Sequence, residues 1–511
     1  MLSLYTLGLI GLALLVSHLV LRALQCPIRA LPGPWYSQCT GLVLKYHVTV
    51  GRRMYYVHAL HVQYGPIVRI APREVAVADA HAAQAIHKVG SGFTKSAWYD
   101  EITMMTRPGS GDGGGGGGSG GIFFMRDPKE HAARRRLFAR PFSNSALQAN
   151  SEGAVREKVE IAVRKIREEY ERDGKADVMK WWTLMTTDVI AHLSFGESFG
   201  GLQEGKQTPF IDALQTALMA SMIFSELPPL YWLAPYLPFR PIKRLLTAEG
   251  IVLAHGGLAY RNMRTAAANT QQNLFGQMLA QADDDDSSET SAAVLTEDTV
   301  RMEAANFITA GSDTTAVTLT YLTWAVLKQP ALRRALEAEV ALLSDDLTPE
   351  ELSEQGGRAP LLNSVVEEAL RLYGAAPGAL PRDVPATGAT LCGRYIPPGV
   401  VVTTQAYTLH RLPDVFPNPL QFDGWRFIKQ PMTPLQKAAY MPFGAGTRIC
   451  IGIHLAMMEL RLATAMFFRQ NRGMEISAET TEDKMAMTQY FLVAPAGHCC
   501  NIVPGPRTKD G

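Results

Sequence analysis

The sequence predicts a mainly α-helical protein with a minor β-sheet and an N-terminal helix long enough to cross a membrane. Residues 2–24 are apolar and almost uncharged. Beyond them, runs of helical periodicity dominate, such as VREKVEIAVRKIREEYERDG at 155–174, where apolar residues recur every three or four positions. Short apolar and β-branched runs near 67–77 and 395–403 are bounded by turn-forming residues. The pattern therefore predicts many helices and a small sheet.

The first 25 residues are predicted to anchor the chain in a membrane. A helix needs about 20 apolar residues to cross a bilayer, and LSLYTLGLIGLALLVSHLVLRAL at 2–24 meets that length. A cleaved secretory signal is the alternative, but no basic segment precedes this run and no clear small-residue cleavage site follows it. Arg22 and Arg29 follow the span while no Lys or Arg precedes it, which places the rest of the chain on the cytosolic side.

The rest of the chain is predicted to form a hinge and one large domain. Two prolines in Leu31-Pro32-Gly33-Pro34 cannot continue a helix, so residues 26–35 are assigned to the hinge and residues 36–511 to the domain. Of 511 residues, 47% are hydrophobic and 19% charged, which is typical of a globular protein with a sizeable core. The net charge of +1 gives no reason to expect a nucleic-acid partner, and six scattered cysteines argue against a disulfide scaffold.

A glycine-rich run, GSGDGGGGGGSGG, occupies residues 109–121. Because so many glycines do not hold one backbone conformation unaided, a mobile surface loop is the simplest interpretation. A lid over a cavity is the alternative. A nucleotide-binding P-loop is rejected, since the run lacks the Lys-Ser/Thr ending of such loops.

One long helix is predicted to carry polar residues in an apolar setting. It runs to about Leu327, is ended by Pro330, and spans roughly 45 Å at 1.5 Å per residue. It contains Ala310-Gly311-Ser312-Asp313-Thr314-Thr315. Because buried polar groups are costly unless they are used, Asp313 and Thr314 are candidate functional residues. The structural alternative is that Ser and Thr bend the helix and that Asp313 pairs with a distant base.

A second polar group is predicted to be structural. Glu368 and Arg371, in NSVVEEALRLYG, lie three positions apart on one helical face and can form an ion pair. The apolar pattern around them indicates burial, and a buried pair needs further hydrogen bonds. Arg426, in FDGWRF, is predicted to complete the group.

Cys450 lies in MPFGAGTRICIG at 441–452, where a phosphate-binding loop with an incidental cysteine is the first alternative. The glycines allow a flat partner to approach the backbone and allow amides to point at the sulfur. A periodic run, IHLAMMELRLATAMFF, follows directly, so Cys450 is placed near a helix N-terminus that favours thiolate, a good iron ligand. A zinc site would need further ligands close to Cys450 in sequence, and His454 is the one local candidate. A catalytic nucleophile would need an orienting base, and none lies nearby in sequence. A plain buried cysteine stays open.

Together, AGSDTT, EALR, a Trp-Arg-Phe element and FGAGTRICIG, in this order, carry a family resemblance. From about residue 30 to its end the chain resembles the cytochromes P-450, which are heme-thiolate monooxygenases. Every fixed position of the pattern Phe-x-x-Gly-x-Arg-x-Cys-x-Gly matches. The resemblance implies the fold of that family, with heme between the long central helix and the cysteine loop. It also implies a microsomal protein of the endoplasmic reticulum. The Pro-rich and Gly-rich character of the sequence is similar to that of fungal enzymes of secondary metabolism.

The resemblance also implies roles for matching residues. Cys450 is expected to be the axial ligand of the iron of heme b, with Phe443 beside the sulfur. The residues expected to bind the heme propionates are Arg448, His131, Arg135 and Arg382. His131 stands where many members have Trp. Glu368, Arg371 and Arg426 match the structural triad, although Asp423-Gly424-Trp425 departs from the usual sequence before the arginine.

For the reaction, the resemblance implies oxygen activation. Thr314 is expected to hold dioxygen and ordered water at the iron, while Asp313 relays protons. Since the chain shows no flavin or nicotinamide domain, electrons are expected from a membrane-bound, NADPH-dependent cytochrome P-450 reductase. Positive charge for that partner is expected from Arg134, Arg136 and Arg140.

The substrate is expected to be a lipophilic small molecule that undergoes hydroxylation, epoxidation or successive oxidation. By position in the family, contacts are expected from residues 98–124, 218–237, 305–310, 375–380 and 489–492. Two other functions stay open: a heme-thiolate isomerase or dehydratase that needs no reductase, and a non-catalytic heme-binding or sensor protein. The intact Asp313-Thr314 pair argues against both.

Overall fold

The computed structural model describes residues 4–102, 121–206, 209–265, 273–277, 297–354 and 356–505. Over these ranges the chain is mainly helical with small sheets, as the periodicity predicts. Apart from Gly121, the glycine-rich run lies outside the described residues, so neither interpretation of it is tested.

Helices form most of the described chain. Those of the N-terminal half are α1 (Leu4–Leu24), α2 (Leu42–Thr49), α3 (Arg53–Tyr64), α4 (Ala80–His87), α5 (Trp98–Glu101), α6 (Pro128–Ala139), α7 (Asn144–Asn150), α8 (Glu152–Asp173), α9 (Val178–Phe195), α10 (Gly201–Glu204), α11 (Pro209–Glu226), α12 (Pro228–Leu233) and α13 (Arg240–Thr265). Those that follow are α14 (Glu297–Leu327), α15 (Pro330–Ala341), α16 (Pro349–Leu352), α17 (Pro360–Tyr373), α18 (Ala406–Leu409), α19 (Arg426–Lys429), α20 (Pro434–Ala439) and α21 (Ile453–Gln470).

The strands are short. They are β1 (Ile67–Ala71), β2 (Glu74–Val77), β3 (Thr94–Lys95), β4 (Ala176–Asp177), β5 (Ala379–Asp383), β6 (Ala389–Leu391), β7 (Arg394–Ile396), β8 (Val401–Gln405), β9 (Met474–Ile476), β10 (Met487–Tyr490), β11 (Leu492–Pro495) and β12 (Asn501–Pro504). The largest sheet has the order β1-β2-β8-β5-β3, in which β2 and β8 run parallel and the other neighbours antiparallel. It therefore joins the early predicted strands to the late strand β8, whereas the predicted run at 395–396 lies in β7, which pairs with β6 in a separate sheet.

The central element of the core is α14, which packs against α9, α13, α17 and α21. Its closest approach to α9 depends on Gly311, because a Cβ at that position would lie 2.6 Å from Cγ1 of Ile190. The hydroxyl of Thr186 on α9 also donates to the carbonyl oxygen of Ser312 at 2.6 Å. The predicted long helix thus forms without a break from residue 297 to 327, with a glycine where α9 crosses it.

The N-terminal segment has an exposed helix and a tightly held connection. Among the described residues, one helix is long and apolar enough to cross a membrane, over Tyr5–Leu24, and none of it is buried against the domain. Arg69, on β1, is 1% exposed and donates to hinge carbonyls, including that of Leu31 at 2.7 Å and that of Pro34 at 3.2 Å. The hinge is therefore bonded to the main sheet.

Candidate functional site

Cys450 lies at the end of a loop that leads into α21. The loop closes through the N–H of Cys450, which donates to the carbonyl oxygen of Phe443 at 2.9 Å. The predicted helix follows at Ile453, and the N–H of Gly452 points at the sulfur. The thiol keeps accessible surface although protein atoms surround it densely. It therefore faces an open space within the fold.

The surroundings of Cys450 act on its pKa in both directions. Burial raises the pKa of its thiol, whereas the N–H of Gly452 and the guanidinium of Arg135 act in the opposite direction. A metal cation at the sulfur would favour the thiolate, because a thiol ligand loses its proton when it binds a metal.

The glycines of the loop meet two structural requirements, a positive φ angle and close packing. Gly444 and Gly446 have φ angles of +72° and +66°, which glycine adopts without strain. A Cβ at Gly446 would lie 1.8 Å from the carbonyl oxygen of His87, the last residue of α4. At this position, packing against α4 also requires the glycine.

The four predicted propionate residues are brought together beside this loop. His131 and Arg135 lie four residues apart on one face of α6. Arg135 donates to the carbonyl oxygen of Ile449 at 2.8 Å. The positive charge of Arg448 contributes to the lowered pKa of His131. Burial and repulsion by Arg382 lower the pKa of Arg448 itself to about 10. The three arginines form a cationic group next to Cys450, with His131 beside them.

The surroundings of His131 favour its neutral form. Burial, with smaller contributions from the positive charges of Arg448, Lys95 and Arg135, lowers its pKa to about 3. A neutral imidazole still has one N–H to donate. The hydrogen-bond donor that the resemblance implies at this position is therefore present without adding to the local charge.

The predicted structural group is assembled around Glu368. Arg371 donates twice to its carboxylate at 2.7 Å, and Nε of Arg426 donates at 3.0 and 3.1 Å. The N–H of Asp423 adds a further hydrogen bond at 2.9 Å. Glu368 is completely buried and Arg371 is 1% exposed, so the pair has the additional hydrogen bonds that burial demands.

One residue that the sequence did not single out connects this group to the cysteine loop. Nε2 of His410 accepts from the N–H of Met441 at 2.9 Å, so Nδ1 carries the proton and donates to the carbonyl oxygen of Arg371 at 2.7 Å. Burial lowers the pKa of His410 to about 3, which keeps this tautomer neutral. Nothing in LHRLP distinguishes this histidine, because its two partners are distant in sequence.

Asp313 and Thr314 lie midway along α14. Asp313 is 7% exposed and accepts from Nε2 of Gln215 at 3.4 Å, and burial raises its pKa to about 6. Its hydrogen-bond partner in the described chain is thus a neutral amide and not the base of the structural alternative. The hydroxyl of Thr314 donates to the carbonyl oxygen of Ala310 at 2.7 Å. Asn306, Ala310 and Thr314, spaced by four, form the less buried face of this part of the helix.

Several segments predicted to contact substrate meet in one apolar cluster. Ile102 and Met222, from two of these segments, are buried there together with Val48 of α2, which was not predicted to contact substrate. The ring-bearing members are Trp98, Phe124, Tyr490 and Phe491. By contrast, Trp232 and Tyr236, at the end of the predicted 218–237 segment, are 61% and 85% exposed. The part of that segment that belongs to the cluster is therefore its beginning.

The segment at 375–380 is tied to that at 489–492. The N–H of Val493 donates to the carbonyl oxygen of Ala375 at 2.9 Å. A Cβ at Gly378 would lie 1.8 Å from Nε2 of Gln489, so the side chain of Gln489 packs directly against the backbone of Gly378. A cavity of about 310 Å³ is lined by Phe443, by leucine and methionine side chains and by charged groups including Glu367. None of the segments predicted to contact substrate contributes to its lining.

The prediction for Arg134 is wrong. It is 3% exposed, and its Nη1 donates to Oε1 of the completely buried Glu303 at 2.7 Å. The same carboxylate accepts from the N–H of Ile122 at 2.9 Å. Arg134 therefore holds α6 against α14 and presents no charge to a partner. Arg136 and Arg140 are exposed, as predicted.

Comparison with known proteins agrees with this arrangement. The family model described as Cytochrome P450 matches residues 31–499. Cytochrome P450 monooxygenase tazI of Aspergillus terreus is 40% identical over 493 residues, which cover 96% of each chain. Cytochrome P450 monooxygenase stcB of Emericella nidulans is 38% identical over 495 residues, covering 95% of this chain and 90% of the relative. Methylphloroacetophenone oxidase of Cladonia uncialis is 34% identical over 407 residues, covering 78% and 85%. The chain belongs to the cytochrome P450 family and is a P450 monooxygenase.

Proposed function

We propose that this protein is a membrane-anchored monooxygenase that inserts one oxygen atom from O2 into a lipophilic small molecule. The product would arise by hydroxylation, epoxidation or successive oxidation. Electrons would come from an NADPH-dependent cytochrome P-450 reductase. The observation that supports this most is the pairing of Cys450, which faces an open space, with a neighbouring group of cations. In the part of the chain that the structure describes, Arg135, Arg382 and Arg448 form no ion pair with a carboxylate.

These residues fit heme b. Cys450 would ligate the iron, with Phe443 beside the sulfur. The residues that would hold the propionates are His131, Arg135, Arg382 and Arg448. When bound, the heme would supply the activation of dioxygen. The triad of Glu368, Arg371 and Arg426 would keep the cysteine loop in place through His410, since that imidazole bonds both Arg371 and Met441.

Asp313 and Thr314 would deliver protons. With a pKa of about 6, the carboxyl of Asp313 exchanges its proton at nearly neutral pH, where a proton relay works best. The amide of Gln215 would orient it. The hydroxyl of Thr314 already donates to Ala310, so its oxygen is left to accept a hydrogen bond from a water or ligand in the open space.

The substrate class follows from the apolar cluster. Its rings suit an aromatic ligand, and one relative is named as an oxidase of methylphloroacetophenone. The relatives come from fungi, which supports a role in secondary metabolism. We propose residues 1–25 as an anchor in the endoplasmic reticulum, residues 26–35 as the hinge and residues 36–511 as the cytosolic domain. Arg136 and Arg140 would contribute to binding of the reductase.

The test combines spectroscopy and turnover. The ferrous carbon monoxide complex should show the red-shifted Soret band of thiolate ligation. Cys450→Ala should lose that band and Cys39→Ala, a half-buried cysteine elsewhere, should keep it. An unchanged spectrum in Cys450→Ala would falsify the ligand assignment. With reductase, NADPH and labelled O2, one labelled atom should appear in the product of an aromatic test substrate.

Two further variants test the proposed roles. Asp313→Asn should keep the carbon monoxide spectrum while turnover falls roughly 10- to 100-fold, since general acid catalysis typically contributes at least that much. Reversing the charges of Arg136 and Arg140 should slow turnover driven by reductase and leave turnover driven by peroxide unchanged. Equal loss of both activities would count against the reductase site.

A further inference from the structure

Two buried cations face each other across a strand pair close to the proposed heme site. β3 pairs antiparallel with β5, and the register places Lys95 directly opposite Arg382. Each of the two residues is 4% exposed. Side chains at such positions have Cβ atoms about 4.5–5.5 Å apart, and like charges there destabilise a sheet. The arrangement therefore calls for a negative charge between them.

A third cation increases this need. Arg448 and Arg382 both lower the pKa of the Lys95 ammonium group, in addition to the larger effect of burial. Arg448 comes from the cysteine loop, where it donates to the carbonyl oxygen of Met125 at 2.8 Å. The sheet edge and the cysteine loop thus place three positive charges around one region.

No carboxylate of the described residues forms an ion pair with these three cations, Lys95, Arg382 and Arg448. The exposed carboxylate of Asp127 acts on Arg448 electrostatically, but it caps α6 by accepting from the N–H groups of Lys129 and Glu130. Asp100 and Asp383, the acids nearest in sequence to the two strands, both pair with Arg126, at 2.6 and 3.3 Å. Both carboxylates are therefore already neutralised by Arg126.

The present partners of Lys95 do not compensate its charge. Its Nζ donates to the carbonyl oxygen of Phe123 and lies 4.3 Å from the ring centroid of Tyr99 and 4.5 Å from that of Phe123. A carbonyl and two rings offer partial negative charge, whereas a buried ammonium needs a full counter-charge. The hydroxyl of Tyr99 accepts from Arg382 at 2.9 Å, which holds the facing guanidinium in position.

We propose that Lys95 binds a propionate of the heme, opposite Arg382, and that Tyr99 positions Arg382 for the same carboxylate. The inference rests on the proposed heme site and adds a residue that lies outside the motifs of the family resemblance. A propionate is a carboxylate that reaches the region from the same group that Cys450 would ligate. A carboxylate on the substrate would have the same chemistry, so the experiment separates the two.

The experiment measures how fast heme leaves the full-length protein for an excess of apomyoglobin. Lys95→Met should release heme roughly 10- to 100-fold faster, as expected for the loss of one charge-assisted hydrogen bond. Lys95→Arg keeps the charge and should stay within a few-fold of the wild type. Lys88→Met removes an exposed lysine nearby and should have no effect.

A second arm uses heme dimethyl ester, in which the propionates carry no charge. The difference between wild type and Lys95→Met should disappear with the ester, which a merely structural role of Lys95 would not produce. The reduction potential of Lys95→Met with heme should be more negative, because a cation near the heme favours the ferrous form. The carbon monoxide spectrum should still show thiolate ligation, so the role of Cys450 is tested separately.

Three results would overturn the proposal. These are an unchanged rate of heme release in Lys95→Met, equal acceleration with heme and with its dimethyl ester, or equal acceleration in Lys95→Met and Lys95→Arg. Unchanged heme release together with weaker binding of a carboxylate-bearing substrate would assign Lys95 to the substrate instead. If Lys95→Met does not fold, Lys95→Gln takes its place under the same criteria.

Discussion

Replacing Glu459 by Gln is predicted to stabilise the protein above neutral pH. Glu459 lies on α21, is 1% exposed and accepts a hydrogen bond from Thr315 on the facing α14. Its Oε2 atom has no hydrogen-bond partner among the described residues. Burial raises the pKa of this carboxyl to about 8, because the ionised form would lack solvation. The protein therefore keeps a proton there that the unfolded chain has released.

The size of the effect follows from the two pKa values. In the unfolded chain the pKa of Glu459 is 4.5, and in the folded protein it is about 8. At about 1.4 kcal/mol per pKa unit, this difference corresponds to at most about 5 kcal/mol. Below the lower value both states are protonated and nothing is lost. Stability falls as the pH rises from 4.5 to 8 and is constant above that range.

Thermal unfolding at a series of pH values from 4.5 to 9 tests this prediction. Because Gln does not ionise, the midpoints of Glu459→Gln and the wild type should lie closest at the acidic end and diverge up to about pH 8, in favour of the variant. Glu350→Gln, which changes an exposed carboxylate, should give an offset that hardly depends on pH. A variant that is less stable than the wild type by the same amount at every pH would refute the reasoning. The carboxyl would then matter only for packing and hydrogen bonding.

Three further predictions concern buried charges. Arg69→Met should lower stability by about 2–3 kcal/mol and speed limited proteolysis at the hinge, since the carbonyl groups there lose their donor. Glu368→Gln should lower the free energy of unfolding by about 3–5 kcal/mol in denaturant titrations, because the buried Arg371 and the half-buried Arg426 lose their counter-charge, while Glu350→Gln has little effect. Glu303→Gln should cost a similar amount, about 3–5 kcal/mol, and adding Arg134→Met should recover part of it; a double variant less stable than the single one would contradict the pairing.

Elements with a strong local pattern were predictable from the sequence. The long central helix was expected up to about Leu327, and it spans Glu297–Leu327, because a proline follows and its apolar pattern is continuous. The helix after Cys450 was likewise expected from its periodicity. The sheet order was not predictable, since β2 pairs with β8 from a distant part of the chain and neither strand carries a signal for the other. The role of His410 is hidden for the same reason.

The arginines of α6 show what separates a charge pattern from its function. Arg134, Arg135 and Arg136 are consecutive, and successive residues on a helix point about 100° apart, so one basic run is divided among three surroundings. Arg134 points inward, where Glu303 neutralises it, and Arg136 is exposed. Arg135 lies between them, at the cysteine loop, without a carboxylate of its own among the described residues. Arg69 shows that neutral oxygen atoms alone can satisfy a buried guanidinium. What sets Arg135, Arg382 and Lys95 apart is their position beside the cysteine loop without an ion-pair partner among the described residues, whereas Glu303 neutralises Arg134.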